Sequence, residues 1–235
     1  MLERIAAAAC PHREPLVIEI GPGRGALTEK LLKHSDRVIA IELDSHLVEH
    51  LHHKFAAEER LEIVHGDVLE TDLTQWHGVP VVGNLPYYIA SPILEKVARL
   101  GPPRAVLLIQ KEVAERLVAH PGLREYGFLT VQISVWAQAR RLFEVKASAF
   151  RPPPKVDSAV VLLEPRKAPA VSDTDAFLEF VSQCFRHKRK TIRNNLAEIY
   201  GKETIDGWPE AGLRAEQIGL DRFVEMYRRL VAKPT

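Results

Sequence analysis

Leu16-Val17-Ile18-Glu19-Ile20-Gly21-Pro22-Gly23-Arg24-Gly25 is the stretch that decides how this chain folds. Four of the first five residues are apolar, which reads as a short buried strand. Three glycines at alternate positions follow, and residues 26–33 then place Leu27, Leu31 and Leu32 on one helical face. A glycine turn between a strand and a helix lets backbone approach a ligand closely. The spacing is G-x-G-x-G rather than the G-x-G-x-x-G of a dinucleotide-binding turn. Glu19 sits one residue before the strand's end, where a carboxylate suits a cationic ligand portion and disfavours a pyrophosphate. At this point a nicotinamide fold remains the alternative.

Working outward, residues 1–9 read as a helix closed by a loop at 10–15. Val38-Ile39-Ala40-Ile41-Glu42-Leu43 is a second buried strand with an acid near its end. A carboxylate at that place can take both hydroxyls of a ribose, an arrangement that nicotinamide folds share, and its bland reading is a solvated strand end. Residues 44–58 read as a helix capped by Asp44 or Ser45. Leu61-Glu62-Ile63-Val64-His65 is a third strand, and Gly66-Asp67-Val68 follows it. Asp67 alone is an ordinary turn residue. As the third acid at three successive strand ends it reads as a ligand.

The fourth strand, Val79-Pro80-Val81-Val82-Gly83, runs into Asn84-Leu85-Pro86-Tyr87, and a helix follows through Leu100. A tetrapeptide at a strand's carboxyl end lies where open α/β sheets bind ligands. Its chemistry suits alkylation of the exocyclic amino group of a base, a poor nucleophile because its lone pair is delocalised into the ring. Asn84 Oδ1 and a backbone carbonyl can accept hydrogen bonds from that amino group, and Tyr87 supplies an aromatic face. A proline-punctuated turn is the structural alternative.

Residues 105–110 form a fifth strand, and helices are expected from Lys111 and over 128–137. Residues 140–145 and 157–163 read as an antiparallel pair joined by Phe150-Arg151-Pro152-Pro153-Pro154-Lys155-Val156. The prolines stiffen that loop and hold Phe150 in place. From Thr174 onward only helical periodicity appears, so the expected division is an α/β domain over 1–168 and a small α-helical domain over 169–235. The second domain contains Phe185-Arg186-His187-Lys188-Arg189-Lys190-Thr191-Ile192-Arg193-Asn194-Asn195-Leu196. There Arg186, Lys188, Arg189, Lys190 and Arg193 can face outward while Phe185, Ile192 and Leu196 anchor the segment. A solvated charged face is the usual meaning of such a run. On a chain of net charge +1, so compact a basic patch points to phosphate-backbone contact.

The remaining composition mostly excludes. With 235 residues, 46% of them hydrophobic, the chain can bury a substantial core. No run approaches membrane-span length, and Glu3 and Arg4 before a short alanine run do not make a leader. Cys10 and Cys184 have no metal-ligand spacing, and the ten histidines are scattered. A cytoplasmic protein with reduced thiols and no metal site is expected.

Together, Glu19 to Gly25, Glu42, Gly66-Asp67-Val68, Asn84 to Tyr87, Phe150 to Ser158 and Phe185 to Leu196 resemble, in the right order, the bacterial small-subunit ribosomal RNA adenine N6,N6-dimethyltransferases. Glu-x-Gly-x-Gly-x-Gly resembles the first motif of class I S-adenosylmethionine-dependent methyltransferases, and Asn-Leu-Pro-Tyr the signature of adenine-N6 methyltransferases. The resemblance implies a Rossmann-like, mostly parallel seven-stranded sheet with an antiparallel hairpin, beside a C-terminal helical RNA-recognition domain. It implies S-adenosylmethionine held by Glu19, Gly21, Gly23, Gly25, Glu42, Asp67, Val68 and Asn84, with Asp67 accepting from the adenine amino group and the Val68 N–H meeting a ring nitrogen. Catalysis would fall to Asn84, Leu85, Pro86, Tyr87 and Phe150, the last as the second face for the target base. The implied reaction is transfer of four methyl groups to two adjacent adenosines near the 3′ end of the small-subunit RNA, by a monomer, in a late assembly particle. A large-subunit adenine dimethylase of the macrolide-resistance type and a non-catalytic RNA-binding assembly factor are the rivals. The family also carries a Gln-Asn/His-Phe-Leu segment ahead of the first strand that closes over the cofactor. This sequence opens at Met1-Leu2-Glu3-Arg4, inside the helix that follows such a segment, and lowered or absent turnover is the expectation for the chain as given.

Overall fold

The computed structural model describes residues 1–231. The strands are β1 (Val17–Ile20), β2 (Val38–Glu42), β3 (Leu61–His65), β4 (Val81–Asn84), β5 (Ala105–Gln110), β6 (Ala137–Val145) and β7 (Ser158–Pro165). They form one sheet in the order β3-β2-β1-β4-β5-β7-β6. β1 pairs in parallel with both β2 and β4, while β7 runs antiparallel to β5 and β6. The order therefore reverses between β1 and β4. That is the switch point of a doubly wound sheet, where the two following loops diverge and leave a crevice.

The central parallel strands β1, β2, β4 and β5 follow the apolar runs because they are covered on both faces, a situation that replaces alternation by continuous hydrophobicity, whereas β3 at the edge is only half-buried. Every residue of β1 and β2 is buried, Glu19 and Glu42 included. β6 lies at the sheet's edge and carries exposed Gln138, Arg140, Arg141 and Glu144, charges that discourage further strand pairing. Helices α1 (Leu2–Ala9), α2 (Thr28–His34), α3 (Ser45–Lys54) and α4 (Ala90–Leu100) accompany this sheet. Ile5, Ala6, Leu27 and Leu31 pack with Val17, Val82, Val106 and Leu108 in one core.

Gly21, Gly23 and Gly25 have φ of +68°, +58° and +77°, a region L side chains rarely occupy. Gly25 has a steric reason as well: a Cβ there would stand 2.5 Å from the Phe55 ring. The expected helix over 44–58 in fact ends at Lys54, and the Phe55 ring instead covers the glycine turn.

Two compact units divide the chain. The first is Met1–Ala114 with Ala137–Pro165; the second takes Glu115–Trp136 together with the chain from Arg166 onward. The second unit is helical: α6 (Phe128–Ser134), α7 (Thr174–Phe185), α8 (Ile192–Tyr200), α9 (Lys202–Asp206) and α10 (Leu220–Val231), with α5 (Lys111–Leu117) carrying the chain from the sheet into it. The expected helix over 128–137 is shorter because Ala137 already belongs to β6. The expected helical domain over 169–235 thus gains an earlier segment, and its last four positions lie outside the described residues. The reason is packing: Tyr126, Val131 and Val135 are buried with Phe177, Phe180, Ile192 and Phe223. Cys10 and Cys184 are buried, one in each unit, and burial pushes both thiols up. Among the described residues no helix is long and apolar enough to cross a membrane.

Candidate active site

A pocket of about 490 Å³ opens at the carboxyl ends of β1 to β4. Gly21, Glu42, Asp67, Val68 and Pro86 line it, joined by Leu43, Tyr88, Ile89 and Ile93. Four positions in that wall, Leu43, Tyr88, Ile89 and Ile93, carry no motif signal. The sheet order brings Tyr88, Ile89 and Ile93, which follow β4, to the side of Leu43, which follows β2.

Glu42 organises the wall. Its Oε2 accepts the Gly23 N–H at 3.0 Å, and its Oε1 accepts the N–H groups of Leu43 at 2.9 Å and Asp44 at 3.1 Å. One carboxylate thereby fixes both the glycine turn and the start of the next helix. Asp44 caps that helix, its Oδ1 accepting the His46 N–H at 2.8 Å. Asp67 holds its own turn by accepting the Leu69 N–H at 2.8 Å, and Lys96 braces it by donating to the Leu69 and Thr71 carbonyls at 2.7 Å each. A second cavity of about 480 Å³, between that turn and α4, includes Lys96 but none of the strand-end acids.

Beside the pocket, Asn84 ends β4 with an exposed side chain. Its carbonyl is 3.5 Å from where a Cβ on Gly21 would stand, so the turn after β1 and the tetrapeptide after β4 approach each other closely. Gly83 permits this approach, since a Cβ there would lie 2.8 Å from the Ile20 carbonyl. Leu85 is buried and donates its N–H to the Leu108 carbonyl at 3.0 Å. The Pro86 carbonyl accepts the Ile89 N–H at 3.2 Å, closing a 3-10 turn over Tyr87–Ile89. Tyr87 is held through a 2.7 Å hydrogen bond between its hydroxyl and that of buried Ser158, the first residue of β7. Phe150 is half-buried and packs against the core of the first unit. Its loop is closed at the base by Asp157, which accepts the Ala147 N–H at 2.9 Å and a Lys146 ammonium hydrogen at 2.8 Å. Those bonds, the Lys146 one foremost, hold the Asp157 carboxyl below its ordinary range.

Glu19, Gly23, Gly25, Asn84, Leu85, Tyr87 and Phe150 are not among the lining residues of the pocket. Glu19 is 1% exposed and accepts the Thr28 hydroxyl hydrogen at 2.6 Å. Burial pushes its carboxyl up to about 7, against the pull of the Thr28 bond and with an added push from Glu42. The unfolded chain ionises this group near 4.5. Between those values the unfolded state releases a proton that the folded state keeps, so the stability tied to Glu19 is complete below pH 4.5 and falls as the pH rises to about 7. Glu19→Gln should remove that loss. In urea unfolding its advantage over the parent should be larger at pH 8 than at pH 4 by about 3 kcal/mol. A pH-independent difference would mean that Glu19 ionises normally in the fold.

In the second unit Arg186, Lys188, Arg189 and Lys190 lie in the connection between α7 and α8, while Arg193 lies in the first turn of α8. Asn195 is buried and staples it: Nδ2 donates to the Cys184 carbonyl at 2.9 Å, and Oδ1 accepts the His187 N–H at 3.2 Å. Thr191 caps α8 by accepting the Asn194 N–H. All five cations are exposed, yet they differ. Lys188 donates to the Arg124 carbonyl at 3.2 Å and Arg193 is paired with Asp206.

A glycine turn and two pocket-lining strand-end acids at the switch point of a mostly parallel sheet, with an antiparallel β7, define the class I methyltransferase fold. Within that class the chain belongs to the ribosomal RNA adenine dimethylase family, whose model matches residues 1–228. It is 40% identical over 247 residues to a ribosomal RNA small subunit methyltransferase A of Synechococcus elongatus, covering 95% of this chain and 88% of that one. It is 38% identical over 227 residues to the protein of the same description from Thermotoga maritima, covering 97% and 79%. Among solved structures it is similar to a dimethyladenosine transferase from Plasmodium falciparum, with a TM-score of 0.79 and 27% identity over 97% of this chain and 96% of that one. It is also similar to the 23S rRNA methyltransferase ErmE, with a TM-score of 0.74 and 25% identity over 98% and 96%.

Proposed function

We propose that this chain uses S-adenosylmethionine to dimethylate N6 of two adjacent adenosines near the 3′ end of small-subunit ribosomal RNA. On this reading it works as a cytoplasmic monomer on a late assembly particle. The observation that carries the reading is the juxtaposition of a nucleoside-sized pocket, walled by Glu42 and Asp67, with the Asn84–Tyr87 tetrapeptide whose aromatic ring Ser158 pins. Relatives at 37–40% identity described as small subunit methyltransferases favour this RNA. The likeness to ErmE keeps the large-subunit RNA as the second reading.

The residues fit the cofactor. A volume of about 490 Å³ lies within the range of small-ligand sites. Glu42 stands where ribose hydroxyls would donate, and Asp67 where an exocyclic amine would. Leu43, Val68, Ile89 and Ile93 supply apolar walls for a purine. When bound, S-adenosylmethionine supplies a methyl group already activated on a sulfonium, and the chain's part is then placement and hydrogen bonding. Asn84 Oδ1 and the Leu85 carbonyl accept from the target amino group. The Pro86 carbonyl is the lesser candidate, because it already closes the 3-10 turn. Acceptors aimed at N6 favour the tetrahedral nitrogen that develops over the planar ground state, so the stabilisation is differential. Tyr87 and Phe150 hold the two faces of a base withdrawn from its stack. The second methylation requires the monomethyl product to turn so that its remaining N–H meets an acceptor.

The test is tritiated methyl transfer to small subunits lacking the modification, followed by digestion of the RNA. Labelled N6,N6-dimethyladenosine is expected. Label on large subunits alone would move the assignment to the second reading, and no label on either, with binding to the particle intact, would leave the chain as the low-turnover form the sequence anticipates or as a non-catalytic assembly factor.

RNA contact should rest chiefly on Arg186, Arg189 and Lys190, the three cations of the run without a partner among the described residues. Reversing all three to Glu should weaken RNA binding and make log K less steep in log salt by roughly 2–3 units. An unchanged slope would take the run out of the interface.

A further inference from the structure

The two adjacent tyrosines of the 3-10 turn stand in opposite situations. Tyr87 is half-buried and tied to Ser158 at 2.7 Å. Tyr88 is 80% exposed, and among the described residues it has no hydrogen bond, ion pair or ring contact. It nevertheless lines the pocket that holds Glu42 and Asp67. Leu43, 53% exposed, lines the same pocket. A large aromatic left in water at a cavity rim is area that a bound ligand can cover, and such covering is favourable.

We propose that Tyr88 is the aromatic cover of the cofactor pocket, its ring closing on the adenosyl group and making Tyr88 a positioning residue for the cofactor rather than for RNA. This rests on the methyltransferase reading. The backbone beneath the ring is held by the Ile89 N–H bond to Pro86, which closes the turn, and by α4, which begins at Ala90. Only the side chain has to move. A tyrosine has two rotatable side-chain torsions, so ordering it loses little entropy for the area it covers. The acids in the same wall match a nucleoside's ribose and amino groups, which ties the ring to the cofactor. Tyr87, pinned by β7, is left for the target base. The pair thus divides the work: a fixed ring for the base and a free ring for the cofactor.

Calorimetric titration of the full chain with S-adenosylhomocysteine tests this. Tyr88→Ala should bind roughly tenfold more weakly than the parent, the scale of one base–aromatic stack. Tyr88→Phe, which keeps the ring, should bind within about twofold of the parent on the same scale. Unliganded melting should not move, since the side chain is exposed, and KM for the RNA should be unchanged. Equal binding by the parent and Tyr88→Ala overturns the inference and leaves the methyltransferase reading intact. A raised KM for RNA with unchanged S-adenosylhomocysteine binding assigns the ring to the RNA and also overturns it. No binding by the parent removes both.

Discussion

Asn84→Ala should lower turnover by roughly 10²-fold or more, the scale of deleting one preorganised hydrogen-bonding group at a reacting centre, while S-adenosylhomocysteine affinity changes far less. The side chain ends β4 and is exposed, so truncation removes no core contact and the sheet should fold as before. The strand itself is set by its register with Leu108 and by Gly83 against Ile20, neither of which involves the Asn84 amide. What disappears is an acceptor whose value lies in the transition state, where the amino nitrogen becomes tetrahedral and its N–H groups turn toward Oδ1. A group of that kind affects kcat rather than the affinity of a pre-formed pocket. Single-turnover methyl transfer at saturating cofactor, beside calorimetry, reads the two separately. Turnover within a few-fold of the parent would remove Asn84 from the mechanism. A matching fall in affinity would make it a cofactor ligand first. Asn84→Gln is the sharper control: the same amide one methylene further out should recover little, because the requirement is for position.

Much of the sheet was legible because β1, β2 and β5 are buried on both faces, which turns them into runs that are apolar but for Glu19 within β1 and a polar residue closing β2 and β5, with no competing helical period. Their ends were legible too, since acids and glycines interrupt runs that are otherwise wholly apolar. Pro80, by contrast, reads as part of β4 but precedes it; it keeps its place by accepting the Ile18 N–H at 3.0 Å, a bond that needs no N–H of its own. The segment Glu115–Trp136 left no local sign that it belongs with the C-terminal helices. Its apolar residues look like any others until Phe177, Phe180 and Phe223 bury them. The basic run was legible as charge but not as a connection, because Asn195 holds it from within α8 through backbone groups that periodicity does not report.

The site divides in the same way. Glu42 and Asp67 stand out as charges where apolar strands end. Leu43 follows Glu42 directly, but Tyr88 and Ile93 join them only because the chain reverses its strand order beside β1, a long-range event. Glu19 shows the reverse limit: its place in a glycine motif points toward a ligand, whereas in the fold its carboxylate is enclosed with Thr28.

Glu42→Ala should weaken S-adenosylhomocysteine binding by roughly two orders of magnitude, the loss of one or two hydrogen bonds to a charged group. Two effects add. The pocket loses the carboxylate that would take the ribose hydroxyls, and the glycine turn loses its tether, since the Gly23 N–H is left without Oε2 and the Leu43 and Asp44 N–H groups without Oε1. Stability should also fall, by about 1–3 kcal/mol, as three part-buried donors lose a charged acceptor. Glu42→Gln separates the two effects: one amide oxygen can still accept from Leu43 and Asp44, but the NH₂ then faces the Gly23 donor. It should therefore lie between the parent and Glu42→Ala in affinity. Ligand-dependent unfolding is a direct check. At a concentration 100 times the parent's Kd, the ligand should stabilise the parent by about 2.7 kcal/mol and a variant bound 100-fold more weakly by only about 0.4 kcal/mol. If Glu42→Ala instead gains nearly as much as the parent, the carboxylate is a backbone staple and the ribose is held by other groups.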